Sequence, residues 1–155
     1  MTLVLLIALQ FLHVLFAIAW FGASLAIVFL VVPSARRLPQ EGQVAWWQAF
    51  AGNSPAIFPA LGGLTILFGI FRGIAGGVLG SIATAYGITW IAALVLGLAL
   101  AAWGARMTGP NAERLSKSTA ADVAANTARV VRTGRVELSG FFVMIAMMIA
   151  MRFGY

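Results

Sequence analysis

Apolar residues in this chain fall in long blocks rather than in the alternating pattern of a half-buried strand or the single stripe of a surface helix. Blocks of that kind predict membrane-spanning helices, because about 20 apolar residues in helical form cross the hydrocarbon core. The first block runs from Thr2 to Val32, broken by Gln10, His13 and Ser24. Pro33 and the pair Arg36-Arg37 mark its end. It has no basic leader and outlasts a signal-peptide core, so it reads as a retained helix. The second span covers about residues 55–73, with Pro55 tolerable in a first turn. The third covers about 86–103 and the fourth about 136–151.

Three connections separate these spans. Ser34 to Ser54 carries Arg36, Arg37 and Glu41 and includes Trp46-Trp47, a composition suited to a short interfacial amphipathic piece. Ile74 to Ala85 is uncharged and rich in glycine. Gly104 to Arg135 carries Arg106, Arg114, Lys117, Arg129, Arg132 and Arg135. Thr119 followed by Asp122 resembles a capping box, so the end of this connection reads as a helix leading to Gly134. The basic residues thus concentrate in the first and third connections. By the positive-inside rule both face the cytoplasm and both termini face out. No internal repeat or second domain is visible, and residues 1–155 read as one membrane domain in a cell inner (plasma) membrane. The expected fold class is all-α, a polytopic four-transmembrane-helix bundle.

Composition sharpens the picture. Of 155 residues, 62% are hydrophobic and 9% charged, and the mean hydropathy is +0.99. Water-soluble domains carry about 25% charged residues, so neither a soluble globule nor a disordered chain fits. The net charge of +6 would suggest nucleic acid in a soluble protein. Here the basic residues sit between apolar spans and read as topology signals, so no nucleic-acid partner is expected; the lipid bilayer is. The absence of cysteine excludes disulfides, iron–sulfur clusters and thiolate metal sites. One histidine excludes a two-histidine zinc or haem site within a single chain.

Candidate chemistry lies in the polar residues of the spans. An ionisable side chain inside a membrane is costly and marks a functional site by default. His13 is the foremost case. At 100° per residue it shares an arc of about 80° with Leu6, Gln10, Ala17, Trp20 and Ser24, which gives the first helix one hydrogen-bonding stripe. A neutral imidazole there can ligate haem iron or copper, shuttle protons, or bond a neighbouring helix. Arg72 and Arg152 stand near the outer ends of their helices, at the level of His13. They suit snorkelling to lipid phosphates or clamping the carboxylates of a porphyrin. Glu137, at the inner end of the fourth span, suggests pairing with Arg135 or Arg106.

The fourth span carries Met144, Met147, Met148 and Met151, soft ligands for copper or haem iron and equally good packing residues. Small residues form further stripes. On the second span these are Gly62, Thr65, Gly69 and Gly73; on the third they are Ala93, Gly97, Ala101 and Gly104, sharing a face with Tyr86 and Trp90. Such faces suit close helix packing or a flat cofactor.

The stretch HVLFAIAWFGASLAIVFLVVP, His13 to Pro33, resembles the opening helix of the CopD-like membrane proteins. That group includes copper-resistance CopD domains, the HemJ type of protoporphyrinogen oxidase and small four-helix relatives. The shared pattern is His-x6-Trp-x-Gly, carried by His13, Trp20 and Gly22. LTILFGIFRG, Leu64 to Gly73, is similar to the second helix of these families. The resemblance implies a four-helix bundle with His13 facing its interior and, from the HemJ-like members, b-type haem on that histidine.

The leading expectation is therefore a membrane b-type haem protein with an electron-transfer or redox role. His13 would be the axial ligand, Arg72 and Arg152 the propionate partners, and Gln10 and Trp20 the residues orienting the imidazole. A methionine of the fourth span, or His13 of a second protomer in a homodimer, would complete the iron, and a redox partner would exchange electrons. One alternative is a copper transport or handling protein using His13 with Met144, Met147, Met148 and Met151. Another is a cofactor-free structural or accessory subunit.

Overall fold

The computed structural model describes residues 3–53 and 56–155, so the expectations placed on Thr2 and Pro55 lie outside the described residues. Among the described residues, five long helices carry the chain. Helix α1 is Leu3–Ala35, α2 is Gln40–Asn53, α3 is Ile57–Ala75, α4 is Ala85–Ser116 and α5 is Val123–Arg152. All but α2 are long and apolar enough to cross a membrane. The molecule is an all-α, four-helix membrane protein.

Helix α1 packs most extensively on α3, α3 on α4, α4 on α5, and α5 returns to α1, closing a ring. An even number of spans brings both termini to one end and the arginine-rich connections to the other.

Two helices outrun their expected ends, and for one reason. Pro33 has no N–H and its ring crowds the carbonyl four residues back, so an ordinary α-helix should break there. Instead Ile27–Val31 widens into a π turn, with the Val32 N–H reaching the carbonyl of Ile27, and the helix continues to Ala35. The same device recurs at Gly104–Thr108, where the Gly109 N–H reaches Gly104 O just before Pro110. The third span therefore runs past Trp103 to Ser116.

Helix α5 also exceeds its expected span. It does not stop near Gly134 and restart at Val136, but runs 30 residues without a break. At 1.5 Å per residue that is about 45 Å, well beyond a hydrocarbon core of about 30 Å, so its first turns stand clear of the lipid. Gly134 is a packing position rather than a helix end: a Cβ there would lie 2.9 Å from Val28 Cγ2. The Thr119–Asp122 motif forms only in part: the Thr119 N–H and hydroxyl both donate to Asp122 Oδ1, at 2.7 and 3.0 Å, while the N-cap of α5 is Asp122, whose side chain caps no helix N–H.

The protruding ends build a small core of their own. Helix α2 does not lie alone at the interface; its Trp47 is buried against Val32, Ala35, Leu115, Val123 and Val130. Trp46 stacks on Phe50 at 5.1 Å. A second core at mid-bundle joins Trp20, Val28, Leu100, Leu138 and Phe141. In the short α3–α4 connection, Gly77 takes φ +85°, a left-handed conformation that glycine adopts without strain. Thr84 caps α4 by accepting from the Gly87 N–H at 3.2 Å.

Candidate functional site

Above the mid-bundle core, toward the end that carries both termini, the four spans part around a cavity of about 670 Å3. That volume lies within the roughly 300–1,000 Å3 typical of small-molecule and cofactor sites. Packed interiors otherwise hold few voids larger than a water molecule. The floor is made by Trp20, Leu100 and Phe141, whose side chains belong to the mid-bundle core. Trp20 meets Phe141 edge-on at 4.7 Å.

His13 lines this cavity. Its Nδ1 lies 2.9 Å from the backbone carbonyl oxygen of Thr65 on α3. A carbonyl only accepts, so Nδ1 carries a proton, and in the neutral imidazole Nε2 then keeps its lone pair. A second-sphere bond of this kind fixes the tautomer and orientation of a metal-ligating histidine. Room for the ring comes from Gly69, one turn beyond Thr65. A Cβ at Gly69 would lie 2.9 Å from His13 Cε1 and 3.0 Å from Nδ1.

The rest of the α3 small-residue stripe works in the same way. A Cβ at Gly62 would lie 3.1 Å from the Trp20 indole, and at Gly73 one would collide with the indole of Trp90. These glycines admit rings, not a neighbouring backbone. On α4, Gly97 forms cavity wall, with Met144 Cε 3.5 Å from where its Cβ would stand.

The structure gathers most of the residues singled out from the sequence. Gln10, His13, Trp20, Arg72, Met144, Met148, Met151 and Arg152 all line the cavity; Met147 does not. The orienting bond to the imidazole, however, comes from Thr65 rather than from Gln10 or Trp20. Arg72 is half-buried and its Nε is a buried donor with no partner among the described residues. Arg152 is exposed at the rim. Tyr86 and Trp90, which the sequence marked only as neighbours of a small-residue face, prove to be wall residues. No hydropathy signal distinguishes an aromatic facing a cavity from one facing lipid.

Glu137 departs from expectation. It is buried one turn below Phe141, and the Thr108 hydroxyl donates to its Oε2 at 3.1 Å. Among the described residues the ion pair found is Lys117–Glu113 at 2.6 Å, so neither Arg135 nor Arg106 pairs with Glu137. Thr108 lies in the π turn of α4, and that widened turn sets it facing the carboxylate.

Among the described residues no group of three or more His, Cys, Asp or Glu side chains is placed to hold a metal ion. A ligand set here would combine His13 with thioethers. No family model matches the chain, and no curated protein or solved structure matches it either.

Proposed function

We propose that this protein is a small integral-membrane b-type haem protein with an electron-transfer role, resident in a cell inner membrane. The observation that carries the reading is the His13–Thr65 bond, which leaves an oriented imidazole with a free lone pair on the wall of a cofactor-sized cavity. The residues present fit the group. Arg72 brings an unpartnered guanidinium N–H suited to a propionate, and Arg152 stands at the same rim. Gly97 adds no side chain to the wall where a planar body would lie, and Gly69 makes the room the imidazole occupies. Met144, Met148 or Met151 would offer a thioether as a further ligand.

When bound, haem supplies one-electron redox chemistry. The chain's own work is to hold the imidazole in one tautomer, to neutralise the carboxylates and to keep water from the iron. The aromatic floor of Trp20 and Phe141 seals the inner side.

A copper-handling role would draw on His13 with Met144, Met148 and Met151 of the same cavity. Metal–nitrogen and metal–sulfur bonds are only about 2.0–2.3 Å long, so a bare ion leaves most of such a volume unfilled. The volume favours an organic ligand. A visible spectrum of the purified protein, expressed with ample haem and copper, tests the reading. A Soret band lost in His13→Ala is the expected result. Copper without haem would replace the reading with the alternative. A colourless, metal-free protein would leave His13 as a helix-packing residue in an accessory subunit.

A further inference from the structure

Three of the four seams around the cavity are closed at its level. Between α1 and α3 stand the His13–Thr65 bond and the stacked rings of Phe16 and Phe68, 5.6 Å apart. Trp90 packs on Gly73 between α3 and α4, and between α4 and α5 Met144 stands against Gly97, about a turn above the floor residues Leu100 and Phe141. The α1–α5 seam differs. Its ring contacts are Trp20–Phe141, Phe21–Phe141 and Phe21–Phe142, and Val28 meets Gly134 further in. All of these lie at or below the cavity floor.

Above the floor the seam has apolar lips that face both ways. Val14 and Ile18 on α1 and Ile145 and Met148 on α5 line the cavity, yet are 41%, 64%, 39% and 36% exposed. The Trp20–Phe141 contact sets the antiparallel register. From it Val14 rises about 9 Å and Met148 about 10.5 Å at 1.5 Å per residue, which puts the two lips at one height. At that height, inside two membrane-spanning helices, the surroundings are acyl chains rather than water.

We propose that the α1–α5 seam is a lateral portal through which the cavity takes its ligand from the lipid phase. The ligand chemistry is an amphiphile with a flat apolar body and an anionic end. The body slides between Val14, Ile18, Ile145 and Met148, while the anionic end stays at the rim with Arg72 and Arg152. That the amphiphile is haem rests on the proposed function; that the seam opens to lipid does not.

The chain has no cysteine, so introduced pairs report cleanly. Ile18→Cys/Ile145→Cys, bridged with a short bis-maleimide, staples the seam at positions with no part in ligation. Haem uptake from haem-loaded liposomes, followed by the Soret band, should be at least tenfold slower in the stapled protein than in the same cysteine pair left unbridged. Equal rates would overturn the portal. Linkage between two chains instead of within one would also overturn it, making the seam an interface between copies. A separate reading needs no haem: a nitroxide on Ala17→Cys, a cavity-wall position, should collide with lipid-dissolved oxygen far more than with a water-soluble nickel chelate. Chelate-dominated or fully shielded collisions would overturn the portal. Absence of haem uptake in every form, with oxygen-dominated collisions, would sink the haem assignment and leave the portal standing.

Discussion

His13 and Thr65 are bound across the α1–α3 interface, imidazole Nδ1 to backbone carbonyl, at 2.9 Å. A side chain near the start of the chain is thereby fixed by a main-chain atom 52 residues later. The Thr65 hydroxyl is itself occupied, donating to Leu61 O at 2.7 Å, so the threonine's part in holding the imidazole is purely its carbonyl. Thr65→Val should therefore leave the His13 site intact.

Gly69 is the position where the site is most sensitive to added volume. Gly69→Leu should push the imidazole off the Thr65 carbonyl, at a cost of about 1–3 kcal/mol from overpacking. Gly63, on the same helix, has open space where its Cβ would be. Gly63→Leu should then match wild type in thermal stability and in any cofactor content. Equal behaviour of the two variants in a detergent melt would show that Gly69 does not govern the site.

Arg72 and Arg152 should affect retention rather than ligation. Loss of a charged hydrogen bond costs about 1.5–3 kcal/mol, or about 10- to 150-fold in affinity. Arg72→Ala should speed haem transfer to a soluble acceptor protein by that order while the Soret maximum holds its wavelength. The exposed Arg152 should show the smaller effect. A wavelength shift in Arg72→Ala would place Arg72 in contact with the iron-ligand system instead.

Orientation follows from where the exposed basic residues stand. Arg36, Arg37, Arg106, Arg114, Lys117, Arg129, Arg132 and Arg135 are all exposed, on the connections opposite the termini. Single cysteines at the exposed positions Ser34, Ala121 and Ala83 should be labelled by an impermeant reagent on intact cells at 83 alone. Labelling at 121 would reverse the orientation.

The start of α5 should be acid-sensitive. Hydrogen bonds from the Thr119 N–H and hydroxyl, with a further one from Asn126, hold the Asp122 carboxyl below its ordinary value of 3.8. A depressed folded value means the contribution is fully present above 3.8 and is lost as pH falls through the lower, folded value. Amide exchange at Thr119 and in the first turn of α5 should quicken in that acid range. Asp122→Ala should show fast exchange already at neutral pH, with no further acid step.

The sequence alone determined the membrane class and the four spans. Hydropathy is a property of composition along the chain, and a lipid solvent forces each apolar block to satisfy its backbone within one helix. The same helical periodicity put His13, Trp20 and Gln10 on one stripe, and put Gly62, Thr65, Gly69 and Gly73 on another. Tertiary structure decided what those stripes meet. Pro33 read as a stop and Trp103 as the end of its span, yet π turns carry both helices past them, because packing at the inner end rewards continuation where local geometry alone would not. Glu137 had two arginines near it in sequence and found a threonine instead, since its face of α5 turns toward Thr108. The cavity, its open α1–α5 seam and the carbonyl that holds His13 depend on distances between helices. Those distances are set by which side chains interlock, and no single helix encodes them.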